Sequence, residues 1–258
     1  MKTYFRILVC LILGLNQAHA VRTGVKEIAP YEYANNLSIT RYIVPEGVDS
    51  IGEYAFLGCE NLKELSLPST LRFIGEGAFR ECVSLERLVL PEGLTEIPQY
   101  MCAWDESLKE VIIPESVKDI GRHAFAYCTS LIEVRLPDRL EHIGSNVFSE
   151  CESLKEIKVP DSVNELESYA FSNCKSLKKA VLPANSNMLG ELLFIGCENL
   201  RELTCLSPIP PTFDCNSPLF APEEDIMYSK CRLILSSGTK DKYKSAPVWD
   251  KFIDVTEE

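Results

Sequence analysis

What the chain lacks narrows its role first. Beyond residue 20 there is no apolar run long enough to cross a bilayer. Histidine is scarce, with 3 residues in 258, and His19 lies in a segment expected to be removed. That leaves His123 and His142, which offer little to a tetrahedral metal centre or to base-assisted catalysis. No glycine-rich phosphate loop or other catalytic signature is present. Positive charge is also short, with 26 Lys+Arg against 38 Asp+Glu and a formal net charge of −12. A surface of that sign repels phosphate backbones and anionic lipid heads, so nucleic acid is excluded as a partner.

What is present begins with an export signal. Lys2 and Arg6 precede the apolar run Ile7 to Leu15, and Ala18-His19-Ala20 forms a small-x-small cleavage site. Residues 1–20 are therefore expected to be a secretory signal peptide. Cys10 follows Val9 inside the apolar run, which argues against lipidation. Removing the signal leaves 24 basic residues against 38 acidic ones, a charge of −14. The mature protein is expected to be exported, to the cell surface, the periplasm or the medium, without a membrane span.

A strict repeat follows. Pro45, Pro68, Pro91, Pro114, Pro137, Pro160 and Pro183 recur every 23 residues, and so do Ile51, Ile74, Ile97, Ile120, Ile143, Leu166 and Leu189. A fixed period in this range predicts a solenoid, in which each unit buries its apolar residues only by stacking on its neighbours. Within a unit, Leu65 and Leu67 alternate with Glu64 and Ser66, which predicts a strand. Pro68 ends it. Leu71 and Ile74 return the chain across the core, and Ala55, Phe56, Cys59 and Leu62 carry the spacing of a short helical turn.

The Cys of each unit sits three residues before the first Leu, and Thr70, Ser116, Arg139 and Ser162 stand where a common leucine-rich repeat has Asn or Cys. Together with the "IGxxAFxxC" segment and the Pro after the strand, this pattern resembles the BspA-like leucine-rich repeat surface proteins over residues 28 to about 206. The fold expected is an α/β solenoid, a right-handed leucine-rich repeat coil of strand, turn, return strand and short helical turn. A solenoid needs closed ends. Residues 21–50 are expected to be a degenerate N-terminal repeat or cap, 51–206 the solenoid, and 207–258 a C-terminal cap.

Of 11 cysteines, Cys59, Cys82, Cys128, Cys151, Cys174 and Cys197 share one repeat position. Stacked side chains in one column point in parallel, which suits neither a disulfide nor tetrahedral zinc, so these are expected to be buried thiols. Cys215 and Cys231 lie outside the column, and a disulfide between them stays open. No metal and no cofactor is expected.

Glu110, Glu133 and Glu156 form one outward row. Catalytic acid–base pairs need two carboxylates in different environments, whereas a repeat gives them the same one. A solvated row balanced by Lys109, Arg135 and Lys155 is expected instead, and no enzyme. Binding is a better use of such a face, since solenoids recognise partners through laterally joined outward positions. Val89 and Ile112 make a small apolar centre, and Arg87, Glu110, Glu133 and Arg135 a charged rim. The unit "IPQYMCAWDESLKEVIIP" departs from the consensus at Pro98, Met101, Cys102 and Asp105 and adds Trp104, an anchor type common at interfaces. The expected function is a non-catalytic module for a protein or glycan partner, and the family resemblance implies surface adhesion to host or neighbouring-cell molecules. The alternative is a subunit that docks another envelope protein, with a hydrolase third.

Overall fold

In the computed structural model of the chain, residues 26–213, 219–221 and 226–258 are described. The signal segment and Cys215 lie outside them. Two rows of parallel strands line the coil, each divided into shorter hydrogen-bonded sheets. The front ladder holds Arg41–Ile43, Glu64–Ser66, Arg87–Val89, Glu110–Ile112, Glu133–Arg135, Glu156–Lys158, Lys179–Leu182, Glu202–Cys205, Arg232–Leu235 and Val255–Glu257. Two-residue strands from Glu27–Ile28 to Thr212–Phe213 make the back ladder. Every pairing is parallel, and through the strict repeats it keeps the repeat offset, such as Leu88 with Val111 and Ile120 with Ile143, whereas the C-terminal pairs Met188–Thr212, Glu202–Arg232 and Leu233–Val255 depart from it. A single slipped residue would expose the inward side chains, so the constant unit length is a packing requirement.

Middle residues of the front strands, including Leu88, Val111 and Ile157, point inward and are buried. After the front strands from Arg41–Ile43 to Lys179–Leu182 the Pro carbonyl accepts the amide three residues on, as Pro91 does from Leu94. The hydroxyls of Thr70, Ser116 and Ser162 donate to the carbonyls of Val48, Leu94 and Leu140 in the preceding coil at 2.6–2.7 Å. A hydroxyl thus ties successive coils where the common repeat uses Asn or Cys.

The expected helical turns are not helices. In each coil two residues four apart adopt left-handed backbone, for example Tyr54 and Gly58, Tyr100 and Trp104, and His123 and Tyr127. Alternate amides therefore leave the coil. Leu57 bonds back to Tyr54, while Tyr54, Phe56 and Gly58 bond to the carbonyls of Glu76, Ala78 and Arg80 in the next coil. The segment acts as a third, turn-built ladder. Among the described residues the α-helices are Met227–Lys230 and Lys240–Lys244, so the fold is a mainly β solenoid rather than an α/β one.

The core is a set of columns. Phe125, Phe148, Phe171 and Phe194 stack at 5.6–5.9 Å with near-parallel rings. Beside them the column thiols donate to carbonyls of the preceding coil at 3.1–3.3 Å, as Cys151 does to Phe125. All six are free and buried. Burial raises the thiols of Cys82, Cys128 and Cys174 well above their ordinary range. Cys231 is likewise a buried free thiol. Beyond the last repeat, Trp249 and Phe252 are buried together, and the Trp249 indole donates to the Pro211 carbonyl at 2.8 Å.

Candidate functional site

Three adjacent front strands, Arg87–Val89, Glu110–Ile112 and Glu133–Arg135, form one hydrogen-bonded block. The register places Arg87, Glu110 and Glu133 in one row and Val89, Ile112 and Arg135 in the next. Six of the seven residues singled out from the sequence therefore share a continuous patch. A shallow depression is lined by Val89, Glu110, Ile112, Glu115, Glu133 and Arg135. Val89 and Ile112 are 42% and 40% exposed, which is high for β-branched residues in a paired strand.

Electrostatics differentiate the rows. Arg87 pairs with Glu110 at 2.6 Å, and Lys109 pairs with Glu86 at 2.8 Å rather than with the acidic row. Arg135 reaches Glu115 at 3.4 Å with its side chain 81% exposed. The expected balancing of Glu110, Glu133 and Glu156 by Lys109, Arg135 and Lys155 is thus not what forms. Long side chains reach along the axis to the equivalent place in the adjoining coil, as Arg41–Glu64, Lys118–Glu141 and Lys175–Glu152 also do. Among the described residues Glu133 and Glu156 have no ion pair, so the acidic row stays uncompensated at its centre.

The front ladder is interrupted on both flanks of this block, between Glu64–Ser66 and Arg87–Val89 and between Glu133–Arg135 and Glu156–Lys158. Further depressions lie along these breaks. The periodic sequence carries no sign of them.

Trp104 is not part of the patch. It belongs to the turn-built ladder, where its ring stacks on Tyr127 at 5.0 Å and the Arg80 guanidinium lies 4.6 Å from it. Beside it, His123 stacks on Tyr100 at 4.9 Å. Burial, helped by Arg122, lowers the His123 pKa. His142 instead faces Glu167, its Nε2 3.0 Å from Oε1. The sequence offers Trp104 as a candidate binding anchor without giving its side of the coil or the stack, although Tyr127 lies one 23-residue period beyond Trp104.

A family model described as "BspA type Leucine rich repeat region" matches residues 26–118 and 95–211, in six copies. A Treponema pallidum leucine-rich repeat protein of solved structure is 32% identical, with 72% of this chain and 77% of that one covered and a TM-score of 0.52. The pneumococcal vaccine antigen PcpA is 19% identical, with coverage of 91% and 71% and a TM-score of 0.56. A leucine-rich repeat protein from Bacteroides ovatus is 26% identical, with coverage of 84% and 69% and a TM-score of 0.48. No curated protein matches the chain. With the family pattern on both ladders and over most of its length, the chain belongs to the BspA-type leucine-rich repeat family.

Proposed function

We propose that the protein is an exported, non-catalytic binding module that holds a protein partner on its front sheet face, at the cell surface. The observation that carries this reading is the block Arg87–Val89, Glu110–Ile112 and Glu133–Arg135. There two exposed β-branched residues adjoin an acid without an ion pair and a largely exposed guanidinium. An apolar centre with a charged rim is the anatomy of a protein interface. Glycan recognition and docking to the producer's own envelope use the same face and become outcomes of one experiment. Immobilised mature protein is exposed to extracellular-matrix proteins, to a glycan array and to solubilised envelope of the producing cell. Saturable retention of a matrix protein, lost on changing Val89 and Ile112, supports adhesion. Retention of envelope components alone would make it an assembly subunit, and turnover of a glycoside or peptide panel would overturn the non-catalytic assignment.

The ends of the coil fit the same reading. Residues 21–50 and 207–258 are proposed to close the solenoid, the latter by placing Trp249, Phe252 and Tyr243 beneath the last coils. Closure leaves the face, rather than a raw strand edge, as the surface offered to partners.

A further inference from the structure

The back ladder carries a cluster that the front face does not explain. Asp119, His142 and Glu165 occupy the same outward place on three neighbouring rungs, in register. A fourth residue, Glu167, stands where other coils have Gly52, Gly75, Gly121, Gly144 and Gly190. At each of those glycines an added Cβ would come within 2.3–2.7 Å of backbone in the preceding coil. Pro98 and Glu167 are the two residues in this column that are not glycine, and Glu167 alone brings a charged side chain into it.

That side chain turns toward the histidine. Glu167 Oε2 accepts the Ser145 amide at 2.8 Å, which fixes the carboxylate, and Oε1 lies 3.0 Å from His142 Nε2. Asp119 Oδ1 stands 3.6 Å from the other ring nitrogen, Nδ1. The ligand atoms of His142, Glu165 and Glu167 all lie within 4.8 Å of one another. A neutral imidazole has one N–H. An ion held by Nε2, Glu167 and Glu165 would replace the 3.0 Å contact between Nε2 and Oε1, with the ring's single N–H then on Nδ1, toward Asp119. A carboxylate behind the ring and oxygen ligands in front of it is the arrangement that surrounds metal-bound histidines.

We infer that His142, Glu165 and Glu167 form a binding site for a divalent transition ion, Zn²⁺ being the fitting one, with Asp119 as a positioning residue. One imidazole nitrogen with carboxylate oxygens suits Zn²⁺, whereas Ca²⁺ and Mg²⁺ prefer oxygen alone. Tetrahedral zinc needs ligand atoms roughly 3.3 Å apart. The exposed Glu165 side chain can swing to meet that geometry, and water completes the shell. The 23-residue period hides the site, because Glu167 lies 25 residues from His142 and outside its row.

The test titrates the reduced full mature chain with ZnCl₂ and, for its spectrum, CoCl₂. One saturable equivalent is expected, with cobalt absorption free of a thiolate charge-transfer band. His142→Ala and Glu167→Gln should each weaken Zn²⁺ binding at least 10-fold, and Asp119→Asn about 10- to 100-fold. Glu106→Gln, an exposed acid elsewhere, should leave it unchanged. Circular dichroism checks that each variant remains folded. Binding that survives His142→Ala, a thiolate band, equal competition by Ca²⁺, or no saturable binding would each overturn the site.

Discussion

Asp105 Oδ1 accepts the Cys82 amide at 2.8 Å from the column position that is Cys in the adjoining coils. The carboxyl is fully buried, and Cys102 fills the place of the stacked Phe beside it. One coil thus puts a carboxyl in the thiol column and a small thiol in the ring column. Burial is the main cause holding the Asp105 carboxyl well above the usual carboxylate range, with Glu81 adding to it, while bonds from Cys82 and Cys102 oppose it. The neighbouring thiols of Cys82, Cys102 and Cys128 are themselves pushed up and stay neutral.

A pH dependence of stability follows. The folded state binds the Asp105 proton more tightly than the unfolded chain, so its contribution is intact below the ordinary carboxylate pKa. It is lost as pH rises toward the folded value. Relative to Asp105→Asn, the wild type should lose about 1.4 kcal/mol per pH unit across that window. Urea unfolding of both proteins at a series of pH values measures the difference. Parallel profiles would show that the carboxyl is already ionised in the fold.

The phenylalanine column makes a second expectation. Phe125 contacts Phe148 but has Cys102, not an aromatic ring, in the preceding coil. Phe148 has rings on both sides. Phe148→Ala should cost about 3–5 kcal/mol and unfold the flanking coils with it, because the cavity is shared. Hydrogen exchange should show amides of three successive coils losing protection together. A loss confined to one coil, or below about 1 kcal/mol, contradicts a continuous core.

The column thiols should resist reagents in the native protein and count at least six on denaturation without reductant. Each bonds a carbonyl of the preceding coil, and burial keeps the reactive thiolate form scarce. A thiol titration before and after guanidinium reads both numbers. Fewer than six in the denatured sample would mean that the column is oxidised.

Much of this architecture was legible because the repeat is strict. A constant period fixes register, and register fixes which residues share a row, so the block around Val89 and Ile112 could be assembled from spacing alone. The helical turn was misread because Ala55, Phe56, Cys59 and Leu62 face inward at the same spacing in either conformation. Left-handed Tyr54 and Gly58 decide for the turn-built ladder. Tyr and Glu at such positions carry no glycine-like signature. The direction of Trp104 depends on that same backbone, which spacing does not fix. Contacts that cross rows, such as Glu167 to His142, are invisible to a period.

The face itself gives the last expectation. Val89 and Ile112 are exposed on paired strands, whereas Phe73 and Met188 are exposed at 49% and 52% on the back ladder. The two pairs allow the same chemical change on two sides of the coil. Replacing Val89 and Ile112 by Asp adds charge where a partner would bury apolar area, beside Glu110 and Glu133, which already make that centre acidic. Neither side chain contributes to the core, so stability should change by only about 0.5 kcal/mol per site. Binding to the partner found by the screen should drop at least 100-fold, because affinity concentrates in the desolvated centre while rim charges mainly steer encounter. Phe73→Asp with Met188→Asp should leave binding within about twofold, since rim or remote changes are near neutral. Surface plasmon resonance of the two double variants measures both. If the front variant binds normally and the back variant fails, the partner docks on the back ladder and the proposed face is wrong.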